Sequence, residues 1–382
     1  MYQRGLPPQA TYLFKHALIQ DAAYQSLLRS TRQQYHQRIA QVLEERFPEI
    51  CETQPELLPH HYTEAGVLVQ AIIYWQRAGQ RAIERSAHLE AISHHSKGLE
   101  LLATLPDTAE RTQQELMLHT ALGVPLQATK GFAAPEVGRV YARARELCRQ
   151  VGETPQLFPV LWGLWLFYEV RGELQTAREL AEQLLSLAQR QQDPALLLPA
   201  HRAMGQTVYC QGELARARAY LEQGIALYDP QRHRSLAFHY SQDVGVGLRT
   251  FAANVLWYLG YPDQAVERMQ EALTLARELS HPFSLALALD HAAWLHQYRR
   301  EGRLTQEQAE ADIALSSEQG VCVLPGTRDD QSRLGAGGAR TASGGPDSDA
   351  PGHGGFSGHG GRAALAQGSY HAGRSVRRER PG

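Results

Sequence analysis

The sequence predicts an all-α protein, a solenoid of antiparallel helical hairpins that ends in a disordered C-terminal tail. Three observations lead to this fold class. Apolar residues recur every three or four positions and rarely alternate, which is the period of helices rather than strands. A helix-turn-helix phrase repeats along the chain, as in solenoid proteins. From Val321 the composition shifts to Gly, Arg, Ser, Pro and Asp, which cannot bury enough apolar surface to offset the entropy of ordering.

The first helical region is residues 12–47, YLFKHALIQDAAYQSLLRSTRQQYHQRIAQVLEERF. It predicts two amphipathic helices with a break near Ser30 and Thr31, because apolar side chains recur at helical spacing on both sides of that point. These side chains are Leu13, Phe14, Ala17, Leu18, Ala22, Ala23, Leu27, Leu28, Ile39, Val42 and Leu43.

The next region, roughly 56–103, predicts another pair of helices. Its small residues Ala78 and Gly79 are expected at close helix contacts. Pro106 and Asp107 then interrupt the helical pattern, as turn residues commonly do.

A repeat follows. RGELQTARELAEQLLSLA at 171 recurs as QGELARARAYLEQGIALY at 211, as LGYPDQAVERMQEALTLA at 259, and faintly as EGRLTQEQAEADIALS at 301. The predicted turn glycines are 40, 48 and 42 residues apart, and an alanine follows each of the first three five positions later. Glycine suits a left-handed turn between two helices, and alanine lets the helices approach closely. The four glycines are Gly172, Gly212, Gly260 and Gly302.

Charge and cysteine usage limit the function classes. The 38 Lys+Arg residues nearly balance 40 Asp+Glu, so there is no global bias toward nucleic acid or an anionic membrane. The cysteines stand singly, which predicts a reducing compartment and hence the cytoplasm. The most apolar run, 159–170, is shorter than the roughly 20 residues of a membrane span. The four cysteines are Cys51, Cys148, Cys210 and Cys322.

Several phrases carry a family resemblance: YLFKHALIQDAAYQSLL, HHYTEAG, YWQRAGQRAIERSA, TKGFAAPEV, YARARELC and GIALYDPQRHRSLAF. Over nearly all of 1–320 the chain resembles the C-terminal part of large bacterial signalling proteins of the adenylate/guanylate cyclase type. In that family a nucleotide cyclase domain is followed by a STAND-type predicted ATPase and by tetratricopeptide-like repeats.

The resemblance implies a domain organisation. Residues 1–55 would be a remnant of winged-helix and linker helices, since FKHALIQDAAY is similar to the end of the family's winged-helix segment. Residues 56–320 would be tetratricopeptide-like helical repeats, and 321–382 a disordered Gly/Arg-rich tail. The cyclase and ATPase domains that the resemblance implies have no counterpart in this chain.

No phrase satisfies the requirements of a nucleotide site. A P-loop needs GxxxxGK[ST], in which glycine amides surround the phosphates and Lys and a hydroxyl reach the outer phosphate and Mg²⁺. The nearest phrase, GVPLQATKG at 123, has Thr129 before Lys130 where glycine is required. GVGLRT at 245 is half of a dinucleotide fingerprint without its βαβ context, so a role in helix packing or a turn is favoured.

The 17 histidines raise the question of a metal site. The pairs His60–His61 and His94–His95 are adjacent, so their side chains would diverge by about 100° on a helix and would not easily share one ion. The single cysteines have no His/Asn arrangement for nucleophilic catalysis. We therefore expect no metal, no cofactor and no catalytic residue, and the chain is predicted not to be an enzyme.

Aromatic residues are the candidates for a binding face. They would line a groove on the face of the first helices, or they would form the core between repeats, and the second interpretation is favoured because bulky residues at helical spacing usually face their neighbours. The candidates for contact with a partner are Trp162, Trp165, Tyr168, Trp257 and Tyr258.

The tail has three interpretations. It holds 15 of the 33 glycines and eight arginines, which suggests an RNA-binding Arg/Gly arm or a flexible linker. A reading-frame slip near codon 321 is favoured, because synonymous codons can be chosen that yield two repeat-like helices in one shifted frame. Resequencing the gene tests this hypothesis.

These observations predict the non-catalytic repeat region of a cyclase/ATPase-type signalling protein. Its expected partner is a protein or small effector on the concave face of the repeats, with neither nucleic acid nor membrane, and uncapped repeat ends are expected to favour self-association. The alternative is a STAND-type DNA-binding transcriptional regulator that acts through a winged helix. Neutral charge and the absence of a basic recognition helix argue against it.

Overall fold

The computed structural model describes residues 2–4, 11–13, 17–152 and 154–320, and the prediction of a frame-shifted, disordered tail at 321–382 concerns residues outside these ranges. The predicted all-α hairpin solenoid is confirmed. The helices are α1 Ala17–Ser26, α2 Arg29–Arg46, α3 Pro48–Thr53, α4 Leu57–Ala65, α5 Leu68–Glu84, α6 His88–Leu102, α7 Ala109–Lys130, α8 Pro135–Val151, α9 Leu157–Val170, α10 Leu174–Gln191, α11 Pro194–Cys210, α12 Leu214–Leu227, α13 Pro230–His233, α14 Ala237–Tyr240, α15 Val244–Tyr258, α16 Pro262–Leu279, α17 Pro282–Tyr298 and α18 Gly302–Gln319.

The chain forms two compact units. One contains the described residues up to Arg81 together with Ser93–Pro106, and the other contains Ala82–Ile92 and the described residues from Asp107 onward. Helices α5 and α6 therefore contribute to both units. None of the helices in the described ranges combines the length and the apolar character that a membrane crossing requires.

The first unit begins with a short sheet that the sequence analysis did not predict. Strand β1, Tyr2–Arg4, pairs antiparallel with β2, Thr11–Leu13. Helical structure was expected from residue 12, but it begins only at Ala17. The aromatic and β-branched residues of β1 and β2 have a higher propensity for strands than for helices.

The two predicted N-terminal helices are present, but their break and their buried face differ from the prediction. The break lies at Leu27 and Leu28, two to three residues before the expected position. Helix α2 buries His36 and Ala40, whereas Ile39 is 42% exposed. The buried stripe is set by the contact of α2 with α4, which shifts it by one residue relative to the apolar spacing alone.

The close contact expected at Ala78 and Gly79 is confirmed. Ala78 is buried, and a Cβ at Gly79 would lie 2.5 Å from Cε1 of His95 on α6. The imidazole of His95 occupies the space that a side chain at position 79 would need, so glycine permits this close contact between α5 and α6.

Over the residues that the structure describes, the second unit contains an array of five hairpins. The first helices of these hairpins are α7, α9, α11, α15 and α17, and the second helices are α8, α10, α12, α16 and α18. Neighbouring first helices contact each other and are buried on most sides, whereas a second helix such as α10 buries one stripe at i, i+3 and i+4 spacing. This difference is expected when first helices form the inner layer of a solenoid.

The hairpin turns share one geometry. Gly172, Gly212 and Gly260 have φ of 75°, 82° and 86°, as predicted for turn glycines. The next residue donates its backbone N–H to the carbonyl five positions earlier, for example Glu213 to Val208 at 2.8 Å. This is the Schellman ending of a helix, which requires a left-handed residue.

The prediction of a fourth turn glycine at Gly302 was wrong. Gly302 is the first residue of α18, and the left-handed position is filled by Arg300 with φ of 61°. The backbone N–H of Glu301 donates to the carbonyl of His296 at 2.9 Å, which completes the same Schellman pattern. Thr305, five residues after Arg300, is buried at the position where the other repeats have alanine, so the last spacing is 40 residues rather than 42.

The 48-residue spacing between Gly212 and Gly260 has a local cause. The second helix of this hairpin, α12, ends at Leu227, and Pro230 starts the separate short helix α13. Proline cannot donate a backbone hydrogen bond inside a continuing helix and disfavours the helical conformation in the residue before it. The chain then passes through a 3₁₀ turn at Arg234–Leu236 and helix α14 before α15 begins.

We predict that Arg300→Gly raises the free energy of unfolding by about 1 kcal/mol, because a left-handed residue with a Cβ costs about 1–2 kcal/mol that glycine avoids. The reciprocal change Gly212→Arg should lower it by a similar amount. Thermal and urea unfolding of both variants measure the effect, and a loss of stability in Arg300→Gly would contradict the turn assignment.

Candidate functional site

Residues 237–243, named here the inner segment, lie on the face formed by the first helices of the second unit. Within seven residues, side chains or backbone groups of this segment contact α7, α9, α11 and α17. The extra residues of the 48-residue repeat are therefore folded onto the face where the sequence analysis expected a partner to bind.

Aromatic contacts hold the middle of the inner segment. Tyr240 is 4% exposed, and its ring lies 5.0 Å from the ring of Trp162 and 6.3 Å from that of Phe158, both on α9. Phe238 packs edge-on against His281, with ring centroids 5.8 Å apart. These contacts remove apolar surface of the first helices from water.

Polar contacts fix the end of the segment. The Ser241 hydroxyl donates to Oε1 of Gln127 on α7 at 2.5 Å. The backbone N–H of Asp243 donates to Oγ of Ser284 on α17 at 2.7 Å, and its carboxylate accepts from the Tyr228 hydroxyl at 2.8 Å. Ser241 has φ of 64°, which turns the chain from α14 toward α15. All these groups except Tyr228 are buried.

Arg202 of α11 is the central charged residue of this region and is 1% exposed. When the Gln242 amide is assigned the orientation that pairs its oxygen with donors, that oxygen accepts from both terminal guanidinium nitrogens, at 2.8 and 3.1 Å. The guanidinium carbon also lies 5.3 Å from the Trp162 ring centroid and 5.5 Å from that of Phe251, within cation–π range. Burial lowers the pKa of Arg202 to about 10, while the charges of Glu169 and Asp243 act in the opposite direction.

Glu169 of α9 is a second buried ionisable group near Arg202. Burial raises the pKa of its carboxyl, and the Arg202 charge partly opposes that shift. The Cys210 thiol lies 3.2 Å from Glu169 Oε1, and burial raises the pKa of this thiol as well. A thiol with a raised pKa is a poor nucleophile.

The structure places Trp162 and Trp165 inside the core, where they are 1% and 0% exposed. The Trp165 indole N–H donates to Oγ1 of Thr207 at 2.8 Å, and Trp162 lies between Tyr240 and Arg202. Packing between repeats was the favoured interpretation, and their buried positions agree with it. Their contact with a partner stays a prediction.

The other predicted candidates, Tyr168, Trp257 and Tyr258, are half-buried near the C-terminal ends of their first helices. Tyr258 lies between two tyrosines that the sequence analysis did not select. Its ring is 6.1 Å from that of Tyr209 and 5.8 Å from that of Tyr298, and the Tyr258 and Tyr298 hydroxyls are 3.2 Å apart.

Trp257 stacks on Tyr298 with an interplanar angle of 16°, and Tyr298 is 40% exposed. We name Tyr209, Trp257, Tyr258 and Tyr298 the aromatic stripe. It offers ring faces and hydroxyl groups at the surface, the combination that is enriched at interfaces between proteins. Tyr298 was missed because the turn was expected at Gly302; with the turn at Arg300, Tyr298 lies two residues before it, just as Tyr258 lies two before Gly260.

Two glycine-containing phrases that were tested for nucleotide binding lie within helices. In GVPLQATKG, part of α7, a Cβ at Gly123 would lie 2.3 Å from the Tyr141 ring. In GVGLRT, part of α15, a Cβ at Gly247 would lie 2.3 Å from Arg202 Nε. Both glycines serve close helix packing, as the sequence analysis favoured for GVGLRT.

A groove along α16 is a second surface feature, with a volume of about 810 Å³. Arg249 and Arg268 both lie beside Glu271, at 3.6 and 2.8 Å. The groove is open and Arg249, a basic residue of its lining, already pairs with Glu271, so the aromatic stripe is the stronger candidate. Its lining includes Asp263, Val266, Glu267, Gln270, Thr274, Leu275, Glu278 and Arg299.

These features define the class of protein as a helical-repeat array whose first-helix face is covered by its own inner segment. No model of a known protein family matches the chain. It is 26% identical over 315 residues to an uncharacterized protein of Rhizobium meliloti (strain 1021), a match that covers 81% of this chain and 30% of that protein. The chain thus spans about 30% of that relative's length.

Solved structures of low sequence identity share the fold. The Rap conjugation gene regulator of plasmid pLS20, solved with the Phr* peptide, has a TM-score of 0.51 at 13% identity, covering 84% of this chain and 93% of that one. NprR with its cognate peptide NprX has a TM-score of 0.50 at 14% identity, covering 85% and 92%. Both likenesses support a helical-repeat fold and no more.

We predict that Tyr240→Ala lowers the free energy of unfolding by about 3–5 kcal/mol, the usual cost of removing a buried aromatic side chain. Solvent should reach Trp162, so tryptophan emission should shift to longer wavelength. His239→Ala at the exposed neighbouring position is the control and should change stability by less than about 0.5 kcal/mol. Equal effects of the two substitutions would contradict the packing of the inner segment.

Proposed function

We propose that the chain is the non-catalytic helical-repeat interaction and sensor region of a longer bacterial signalling protein of the cyclase and STAND ATPase type. The repeat array holds a partner, and nucleotide chemistry belongs to other domains of the longer protein. The observation that carries this proposal is a hairpin array that presents one continuous aromatic stripe across successive first helices, from Tyr209 through Tyr258 to Tyr298.

Two further observations support the longer protein. The match to the Rhizobium meliloti protein covers 81% of this chain and only 30% of that protein. The phrases FKHALIQDAAY and HHYTEAG, which resemble the region after the ATPase core in cyclase-type proteins, both lie in the N-terminal part of the chain. The cyclase and ATPase assignments rest on this resemblance alone.

The solvent exposure of the aromatic side chains decides which of them we assign to the partner contact. The inner segment and Arg202 cover Trp162 and Trp165, so a partner would reach these indoles only after the inner segment moved. Trp257, Tyr258 and Tyr298 retain accessible faces. Aromatic side chains with hydroxyl or indole groups contribute large contact area at low entropic cost, so we assign the partner contact to the aromatic stripe.

An extended peptide is the first partner class to test, because two proteins of the same fold were solved as peptide complexes. We expect selection from a displayed random-peptide library to yield ligands whose affinity falls at least about 10-fold in Tyr258→Ala and Tyr298→Ala, which corresponds to about 1.4 kcal/mol each. Isothermal titration of synthetic ligands measures the effect.

The matched control is Tyr261→Ala, which removes another tyrosine that is 44% exposed but lies against Arg218 of a second helix. It should leave peptide affinity unchanged. The proposal fails if no ligand is selected or if all three variants bind alike. The same purified chain should neither hydrolyse ATP or GTP nor produce cyclic nucleotides, and measurable turnover would contradict the non-catalytic assignment.

A further inference from the structure

Three histidines from two helices meet in the first unit. His36 lies on α2, and His60 and His61 lie on α4. Their ring centroids form a triangle with sides of 5.0, 5.4 and 5.9 Å. One ligand nitrogen from each ring lies within 4.8 Å of the other two. His36 lies 24 residues before His60 in the sequence, so spacing along one helix does not reveal that it joins the adjacent pair.

This triangle has the size of a three-histidine metal site. With a metal–nitrogen distance of about 2.0–2.1 Å and tetrahedral angles, the ligand nitrogens lie about 3.3 Å apart and the ring centroids about 5 Å apart. The observed centroid distances are close to that value. His36 Nδ1 and His61 Nδ1, now 2.8 Å apart, would separate by about half an ångström, and His60, which is exposed, would turn inward by rotation of its side chain.

The surroundings orient two of the rings for metal binding. The Tyr24 hydroxyl lies 2.8 Å from His36 Nε2, so Nδ1 of that ring points toward His61 at the centre of the cluster. An outer hydrogen bond of this kind is typical of metal-bound histidine because it fixes the ring and its tautomer. Burial lowers the pKa of both His36 and His61, the latter to about 4, so both rings are in the neutral form that binds metals.

When a metal binds, the hydrogen between the two Nδ1 atoms must move to another nitrogen. One of these nitrogens carries a hydrogen when they hydrogen-bond to each other, and coordination requires both lone pairs. If that proton belongs to His36, it moves to Nε2 and the Tyr24 hydroxyl becomes the acceptor. If it belongs to His61, it moves to Nε2 of that ring. Each ring remains neutral, so no net proton is lost.

We propose that His36, His60 and His61 form a binding site for one divalent first-row transition metal, with zinc as the principal occupant. Three imidazoles suit zinc, cobalt, nickel and copper and disfavour magnesium and calcium. Because His60 lies at the surface, the fourth coordination position faces solvent and takes water or a ligand from outside this cluster. The site joins α2 to α4, so metal binding links the two helices that flank α3.

The test is metal titration of the purified chain. We expect isothermal titration with Zn²⁺ to show one site per chain, and Co²⁺ to give the visible absorption of a tetrahedral site. His61→Ala should weaken zinc binding by about 100-fold or more, and Tyr24→Phe by about 10-fold, since loss of an outer-shell partner costs about 10- to 100-fold. The thermal midpoint of the wild-type chain should rise with zinc and that of His61→Ala should not.

His60→Ala separates the loss of a ligand from a folding defect, because this side chain is exposed. The variant should keep the far-ultraviolet circular dichroism of the wild type and should bind zinc at least about 10-fold more weakly. His239→Ala, another exposed histidine outside the cluster, should bind zinc like the wild type. The proposal is overturned if the wild type binds no zinc, or if His60→Ala and His61→Ala bind it as tightly as His239→Ala.

Discussion

The guanidinium of Arg202 on α11 is buried against rings of α9 and α15 and against the inner segment. A buried charge is costly unless it is hydrogen-bonded and partnered. With its amide assigned toward these donors, Gln242 supplies two hydrogen bonds, the rings of Trp162 and Phe251 supply cation–π contacts, and Glu169 and Asp243 supply charge. Gln242 belongs to the inner segment, so this stabilisation is lost if that segment leaves the face.

The inner segment exists because one second helix is interrupted. Where α10 and α16 continue for 18 residues, α12 ends after 14, and the chain after Pro230 turns onto the first helices. The consequence is a division of the aromatic residues into two groups. Those near Tyr240 belong to the core, and those near Tyr298 remain at the surface, where they are available to a partner.

Periodicity predicted the hairpins well because each is a local feature. The turns at Gly172, Gly212 and Gly260 were identified from residue type and spacing alone, since glycine at a left-handed position is a strong signal. The fourth turn was predicted at the wrong residue because Arg300 occupies the left-handed position, and arginine is not a residue type that indicates such a turn. The 48-residue spacing was visible in the sequence, but the length of an insertion does not determine the face onto which it folds.

The candidate sites were harder to predict because they depend on contacts distant in sequence. Tyr240 and Trp162 are separated by 78 positions, and Ser241 contacts Gln127 across 114. His36 reaches His61 only because α2 packs on α4. On one helix His60 and His61 are a divergent pair, and only the packing of a second helix adds the third ring.

Hydrogen exchange tests most directly whether the inner segment is part of the folded array. The Asp243 amide donates to Ser284 Oγ in a buried position, whereas α13 in the same insertion has no buried residue. If the segment is docked as described, the Asp243 amide exchanges as slowly as the amides of α15, and those of α13 exchange much faster. Exchange of Asp243 as rapid as that of α13 would show that the first-helix face is open and would contradict this account.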